Sequence, residues 1–333
     1  MKENLLDLEG HGGRIDAMAA AFPDAPLPWI DLSTGINPFP YPMPPIPAEA
    51  WTRLPTARDR ERCEAAMAKA FGCDRAYCRA IPGTELVIRQ LPVILEKERV
   101  ILRGRSYADH AESWGAARAN VKAVNDPLDH LGDADVVVLV NPNNPDGTRW
   151  PPERIEEARS KLASRGGWLI LDEAYADLKP ALSISRLAGQ KGLIVLRSFG
   201  KFFGFAGVRL GAVLGPSEIL SKLADRLGGW DVSGPALSLG ANAYADLKWQ
   251  NATRLKLSAA REELSRLLAK AGIEEMGGTD LFRFVRASNS EAVWEALANR
   301  GIAVRRFPDD NQHLRIGLPN SDALTRLSEA LSP

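Results

Sequence analysis

The sequence lacks a hydrophobic run long enough to cross a bilayer. Stretches such as VVVLV at 136–140 are far shorter than the ~20 apolar residues that a membrane-spanning helix needs. The opening MKENLLDLEG carries acidic residues where a signal peptide would have an apolar core. We therefore expect a cytoplasmic protein that does not interact with membranes.

An excess of charge of either sign is also missing. The 42 Lys and Arg residues balance the 42 Asp and Glu residues, so the formal net charge is zero. Proteins that bind nucleic acids usually carry a basic excess. We therefore expect no nucleic-acid partner, although local basic clusters can still bind small anions.

Cysteine is scarce, and the three residues present are Cys63, Cys73 and Cys78. They form neither a C-x-x-C pair nor a ligand set with a nearby histidine, so we predict structural thiols and no metal site. An odd number of cysteines is typical of a reducing compartment. A G-x-G-x-x-G run is missing too, which argues against a nicotinamide-dependent oxidoreductase.

What the sequence does contain is typical of a globular α/β protein. Hydrophobic residues make up 45% and charged residues 25% of its 333 residues, a length that favours about two domains. From about residue 60, short apolar runs alternate with helical patterns; the runs lie at 99–103, 121–124, 135–140, 168–172, 193–198 and 208–215. This alternation predicts a three-layer sandwich around a mostly parallel central sheet.

Changes in composition divide the chain into three predicted parts. Residues 1–50 are rich in proline and contain several aromatic side chains, which predicts an arm that packs on the body and contributes to the active site. Residues 51–229 hold the alternating pattern of a large domain. Residues 230–333 read as a smaller α+β domain.

Polar residues follow several of the apolar runs. In open α/β sheets, ligands bind beyond the carboxyl ends of the strands, so these positions are candidate site residues. The segments are NPNNPDGT at 141–148, DEAY at 172–175 and SFGK at 198–201, with Arg209 eight residues after the lysine; PGTEL at 82–86 adds a glycine turn that opens a helix. Taken singly, each has an ordinary interpretation: a strand-to-helix turn, a helix cap at Asp172, or a surface turn for Lys201.

Taken together, these residues match one ligand, pyridoxal 5'-phosphate. Gly83, Thr84, Ser198 and Arg209 suit its phosphate, and Asp172 suits a protonated ring nitrogen. Asn144 and Tyr175 suit its phenolic oxygen, and Lys201 supplies the amine that its aldehyde needs. The predicted catalytic residues are Lys201, Asp172 and Tyr175.

NPNNPDG, DEAY and SFGK, in that order and followed by the arginine, make the chain resemble fold-type I pyridoxal-phosphate enzymes of the aspartate and histidinol-phosphate aminotransferase superfamily. The resemblance covers nearly the whole chain. It implies that Glu85 belongs to the cofactor site, that Tyr107 stacks on the cofactor ring and that Arg315 binds the substrate carboxylate. It also suggests that His110 supports Asp172, although a histidine on a helix surface is an equally good interpretation.

HGG at 11–13 followed by DLSTGINPFPYP further resembles the threonine-phosphate decarboxylases of cobalamin biosynthesis. The resemblance implies decarboxylation of L-threonine O-3-phosphate to (R)-1-amino-2-propanol phosphate. A substrate with a carboxylate and a phosphate needs two anion sites beside that of the cofactor. The substrate-binding candidates are His11, Ser33, Gly35, Asn37, Asn144, Arg305 and Arg315, with Arg306 expected on the opposite strand face from Arg305.

Two points stay open at this stage. A histidinol-phosphate-type aminotransferase is the alternative function, because its substrate is also an amino phosphate. The superfamily implies a homodimer, but Leu54 stands where many members have a tyrosine that reaches the cofactor phosphate of the other subunit. A ligand-sensing transcription factor on this fold would need an added DNA-binding domain, which we do not expect in 333 residues with no net charge.

Overall fold

A computed structural model describes residues 12–307 and 310–332. These residues group into two compact units. The large unit comprises residues 40–144 and 148–250. The small unit comprises the described residues up to 39, residues 145–147 and the described residues from 251 onward. The predicted division into an arm, a cofactor domain and a substrate domain stays a prediction.

The large unit is built on one sheet. Its strands are β2 (Cys78–Ile81), β3 (Arg99–Arg103), β4 (Asn120–Val124), β5 (Val136–Val140), β6 (Trp168–Asp172), β7 (Leu193–Ser198) and β8 (Gly211–Leu214). They lie in the order β2-β8-β7-β6-β5-β3-β4. Every neighbouring pair from β7 to β4 is parallel, whereas β8 runs antiparallel to both β7 and β2. The prediction of a mostly parallel α/β sheet is confirmed.

Burial along the central strands explains why these segments are strands. All five residues of β5 are buried, so both faces of the sheet are covered. An apolar run rich in β-branched residues suits that position, because its side chains pack on both faces. The core on one face combines residues of β5, β6 and β7 with the helix that follows β2.

Helices surround this sheet. Those of the large unit are α2 (Ala48–Thr52), α3 (Ala57–Phe71), α4 (Thr84–Leu95), α5 (Ala108–Ala116), α6 (Pro152–Ala163), α7 (Phe199–Phe202), α8 (Ser217–Leu227) and α9 (Gly234–Ala245). Helix α3 begins with a capping box between Thr56 and Asp59 and ends at Gly72 in the left-handed conformation. Helix α4 begins directly after Gly83, whose φ of 85° a residue with a side chain rarely adopts.

The small unit contains a mixed sheet. Its strands, in spatial order, are β1 (Ile30–Leu32), β11 (Ile302–Phe307), β12 (Asp310–Gly317), β10 (Phe282–Arg286) and β9 (Glu274–Thr279). The pairing of β1 with β11 is parallel, and the other pairings are antiparallel. Its helices are α1 (Ile15–Ala21), α11 (Ser290–Ala298), α12 (Ser321–Ala330) and α10 (Leu247–Lys270), whose first turn belongs to the large unit.

Two strands of the small sheet have no counterpart in the sequence interpretation. Strand β9 has the sequence EEMGGT, in which glycine and glutamate give little strand signal. Strand β1 is only three residues long and lies inside the proline-rich segment. None of the helices in the described part of the chain is both long and apolar enough to span a membrane.

Candidate active site

One pocket of the large unit gathers all ten residues predicted to bind the cofactor. Its volume is about 760 Å³, including the part open to solvent. The predicted residues that line it are Gly83, Thr84, Glu85, Tyr107, Asn144, Asp172, Tyr175, Ser198, Lys201 and Arg209. Asp172 and Ser198 end the adjacent parallel strands β6 and β7, and Asn144 follows β5. The sheet order thus brings together residues that are far apart in sequence.

Asp172 is fixed inside the protein by two hydrogen bonds. Its Oδ1 accepts from the backbone N of Ala174 at 3.0 Å, and its Oδ2 lies 3.1 Å from Nε2 of His110. An ionised carboxylate only accepts hydrogen bonds, so this arrangement needs the proton on Nε2 of the imidazole. Both side chains are nearly inaccessible to solvent. His110 therefore contacts Asp172, and the alternative of a surface histidine is wrong.

Lys201 lies on the one-turn helix α7 at the end of β7 and faces the pocket. The phenylalanines around it point elsewhere: Phe199, Phe202 and Phe203 are completely buried. They pack with Tyr244 and Trp249 at ring-centroid distances of 4.8 to 5.7 Å. Within the described part of the chain, Lys201 forms no ion pair. The aromatic residues anchor the turn and leave the amine on the pocket wall.

The first turn of α4 forms one corner of this pocket, and a helix N-terminus suits an anion. Thr84 and Glu85 begin the helix after Gly83, where backbone N–H groups have no partner within the helix. A Cβ atom on Gly83 would lie 3.1 Å from Nη2 of Arg209, so the glycine leaves room for this guanidinium. Arg209 Nη2 lies 3.8 Å from a carboxylate oxygen of Glu85, and both side chains are about half exposed.

A buried ionic cluster lies directly behind two pocket residues. Arg197 precedes Ser198, and Glu173 follows Asp172. Arg197 Nη1 lies 2.8 Å from Oε2 of Glu173, and its Nη2 pairs with Asp177. Burial lowers the pKa of Arg197, but the two carboxylates more than offset this, so the pKa is raised. The sequence interpretation missed this cluster, although the single arginine inside the apolar run LIVLRS was a signal for it.

Two of the substrate-binding candidates of the small unit are arginines on neighbouring strands. Arg305 of β11 stands directly opposite Arg315 of β12 in the antiparallel register, so their side chains lie on one face. Burial and the charge of Arg315 lower the pKa of Arg305 to about 10. Arg315 donates from Nη2 to the backbone O of Ser33 at 2.5 Å. Two cations side by side in a partly buried place favour an anionic ligand.

The structure also shows the surroundings of Arg306 and Gly12. The guanidinium of Arg306 lies 4.9 Å from the ring of Trp294 on α11, whereas Arg305 faces Phe307. A small cavity is lined by Gly12, Ser33, Arg305 and Arg306, among others. Gly12 has no room for a Cβ atom, which would lie 2.3 Å from the backbone O of Ser33. This contact explains one glycine of the HGG segment.

The structure says less about the role of the remaining substrate-binding candidates. The amide oxygen of Asn37 accepts from the backbone N of Phe39 at 2.8 Å, so it closes a turn. Gly35 is buried on the same segment. His11 lies outside the described residues. Leu54 is 61% exposed. In the described ranges, no group of three His, Cys, Asp or Glu side chains is arranged to hold a metal ion.

Comparison with known proteins matches residues 48–331 to the model of the family "Aminotransferase class I and II". A curated threonine-phosphate decarboxylase of Pseudomonas aeruginosa is 40% identical over 325 residues, covering 96% of each chain. Another, from a Sinorhizobium species, is 38% identical and covers 97% of each chain.

A solved structure also resembles this chain: the histidinol-phosphate aminotransferase of Sinorhizobium meliloti in complex with pyridoxal-5'-phosphate. Its TM-score is 0.79 at 20% identity, and the match covers 95% of this chain and 93% of the other. At that identity the likeness shows a shared fold.

Proposed function

This chain belongs to the family of class I and II aminotransferases, and from that premise we propose that it is a pyridoxal-phosphate-dependent carboxy-lyase. Its substrate is L-threonine O-3-phosphate, and its products are CO₂ and (R)-1-amino-2-propanol phosphate, an intermediate of cobalamin biosynthesis. Support comes from 40% and 38% identity to two threonine-phosphate decarboxylases along nearly the full chain. The observation that carries the cofactor assignment is the single pocket that gathers all ten predicted residues.

The chemistry of this pocket fits the cofactor. One corner offers helix N–H groups and Arg209 for a phosphate. A protonated ring nitrogen needs a carboxylate as its partner. Asp172 suits this role, because it is buried and oriented by His110. Lys201 provides an amine on the same wall. When bound, pyridoxal phosphate supplies an electron sink that accepts the electron pair left at the α-carbon as CO₂ departs.

We assign the protein's own groups as follows. Ser198, Thr84 and Arg209 hold the phosphate group, and Asn144 and Tyr175 donate to the phenolic oxygen. Tyr107 covers one face of the ring. Lys201 would hold the cofactor through its aldehyde carbon and would deliver a proton to the α-carbon that CO₂ has left.

The substrate assignment uses the two arginines of the small unit. Arg315 binds the α-carboxylate through its planar fork, and Arg305 binds the phosphate. Burial and then the charge of Arg315 lower the pKa of Arg305, and an anion beside this pair would offset both effects. Ser33, Gly35, Asn37 and Asn144 remain candidate contacts by resemblance to the decarboxylases.

We also propose a homodimer that works in the cytoplasm. Four large apolar side chains of the large unit are mostly exposed: Met43, Trp51, Leu54 and Trp230. Exposed apolar groups of this size are typical of protein interfaces when they form one patch. Analytical ultracentrifugation of the purified protein tests the dimer, and a monomer at micromolar concentration would refute it.

The reaction is tested with L-threonine O-3-phosphate and the purified holoenzyme. We expect CO₂ release without any added keto acid, and no release by the Lys201→Ala variant. An absolute requirement for 2-oxoglutarate, with transfer of the amino group, would identify an aminotransferase instead. Borohydride should fix the cofactor covalently on Lys201, as peptide mass spectrometry would detect. A colourless protein that takes up no pyridoxal phosphate would refute the whole assignment.

A further inference from the structure

Strand β9 contains two adjacent glycines, Gly277 and Gly278, and lies at the edge of the small sheet. Glycine weakens a strand, and where it occurs it often marks a place that another backbone approaches closely. The backbone that approaches here is the loop of residues 145–147, which belongs to the same compact unit. This loop directly follows Asn144, one of the residues that line the cofactor pocket.

The contact between the loop and the strand leaves no room for side chains. A Cβ atom on Gly277 would lie 2.3 Å from the backbone O of Asp146, and one on Gly147 would lie 2.1 Å from the backbone O of Gly278. Real Cβ atoms do not approach other atoms so closely. Gly147 and Gly278 also have φ angles of 72° and 134°, which favour glycine. The two backbones therefore pack directly against each other.

Gly277 is the more informative of the two strand glycines, because its backbone does not require glycine. Its φ is not positive, so alanine could adopt the same conformation. Among the described residues, and apart from its chain neighbours, the only atoms within 4 Å of a Cβ at this position are the backbone O and C of Asp146. A methyl group at position 277 would therefore displace the loop and disturb little else.

Asn144 lies between this contact and a second fixed point. On one side, the backbone N of Asn143 donates to the backbone O of Thr148 at 2.8 Å, and its Nδ2 donates to the backbone O of Arg105 at 2.9 Å. On the other side, only Pro145, whose ring fixes φ, separates Asn144 from Asp146. A displacement of Asp146 is therefore passed on to Asn144 through a short and stiff piece of backbone.

We propose that Gly277 is a positioning residue that lets the 145–147 loop pack on β9 and so keeps Asn144 directed at the cofactor pocket. This inference rests on the proposed function, because the direction of Asn144 matters only when its amide donates to the phenolic oxygen of the cofactor. Gly277 does not line the pocket. Its effect on the cofactor is therefore indirect and is transmitted by Asn144.

The alternative is that the absence of a side chain at position 277 only stabilises the small unit. Alanine there would then lower the unfolding temperature and leave a bound cofactor unaffected. A double-mutant cycle also separates the two roles. An effect that acts through Asn144 disappears once the Asn144 side chain is removed, whereas an independent effect adds to that removal.

The experiment compares Gly277→Ala, Asn144→Ala and the double variant with the wild type in the full-length protein. Gly132→Ala is the matched control, because its φ is not positive and a Cβ atom there would meet no neighbouring atom within 4 Å. Three quantities are measured: the Kd for pyridoxal phosphate, the visible circular dichroism per bound cofactor at saturation, and the unfolding temperature without cofactor.

We expect Asn144→Ala to weaken the Kd about tenfold, because it removes a hydrogen bond to the cofactor. Gly277→Ala should weaken the Kd at least about threefold and reduce the visible circular dichroism signal, because it misdirects the same donor. The double variant should bind no more weakly than Asn144→Ala alone. Gly132→Ala should match the wild type in Kd and in signal.

Wild-type Kd and signal in Gly277→Ala would overturn the inference, even if the unfolding temperature fell. A double variant whose loss equals the product of the two single losses would overturn it as well, and so would a wild-type Kd in Asn144→Ala. If Gly277→Ala does not fold, Gly147→Ala disturbs the same contact from the loop side, and the same cycle with Asn144→Ala decides. A wild-type protein that binds no pyridoxal phosphate would instead refute the proposed function, which separates the two failures.

Discussion

His110 and Asp172 are joined by a buried hydrogen bond, with Nε2 of the imidazole 3.1 Å from Oδ2 of the carboxylate. The histidine lies on helix α5 and the aspartate at the end of strand β6. The second carboxylate oxygen accepts from a backbone N–H group. These two hydrogen bonds therefore hold the Asp172 carboxylate in one orientation at the wall of the pocket.

Replacing His110 with phenylalanine should weaken cofactor binding. The change removes a buried donor and leaves a carboxylate oxygen without it, which costs about 1–3 kcal/mol. We expect a Kd for pyridoxal phosphate at least about fivefold weaker, and a lower free energy of unfolding. Spectrophotometric titration and urea unfolding measure these quantities. His130→Phe, a change at a partly exposed histidine outside the pocket, is the control; equal effects of both changes would contradict the prediction.

The cofactor residues could be predicted from sequence because a topological rule brings them together. Asp172 and Ser198 end recognisable apolar runs and Asn144 follows one, and the carboxyl ends of parallel strands lie at one edge. Asp109 and Arg197 follow no such rule. Their partners lie 20 or more positions away along the chain, and only the folded protein shows which carboxylate meets which arginine.

Strand β1 illustrates the same limit in the small unit. Its three residues pair with Ile302, Ala303 and Val304 near the other end of the chain. A proline-rich segment predicts extended backbone, but no local pattern identifies a strand partner so far away. The register that sets Arg305 beside Arg315 depends on the pairing of β11 with β12, which the sequence does not define either.

Removing Arg305 should impair turnover of a phosphorylated substrate more than turnover of an unphosphorylated one. Arg305→Ala deletes one of two adjacent cations, and we expect kcat/KM for L-threonine O-3-phosphate to fall at least about tenfold, while any turnover of L-threonine changes little. Arg300→Ala, at an exposed position next to β11, is the control. Equal losses for the two substrates would remove Arg305 from phosphate binding.

The three cysteines should differ sharply in reactivity. Burial raises the pKa of Cys63 to about 12, so at pH 8 only about one molecule in ten thousand carries the thiolate there. The pKa of Cys73 is lowered, chiefly by a hydrogen bond with Cys78, and Cys73 is partly exposed. We expect one fast-reacting thiol with Ellman's reagent in the native protein. That fast phase should vanish in Cys73→Ser, and its persistence would contradict the prediction.

Removing Arg197 should destabilise the protein far more than removing an exposed arginine. Arg197→Met leaves Glu173 and Asp177 buried without their cation, a loss of about 3–5 kcal/mol in the free energy of unfolding. Arg186→Met is the matched control, because the Arg186–Glu156 pair is exposed with a distance of 3.4 Å, and such pairs contribute about 1 kcal/mol or less.

Urea unfolding of the two variants without cofactor measures this difference directly. Arg197→Met should also bind pyridoxal phosphate more weakly, since Glu173 and Arg197 are the chain neighbours of the pocket residues Asp172 and Ser198. Adding Glu173→Gln to Arg197→Met should restore part of the lost stability, because it removes one of the two uncompensated charges. A loss below about 1 kcal/mol in Arg197→Met would show that the carboxylates find other partners and that the cluster does not hold the strand ends.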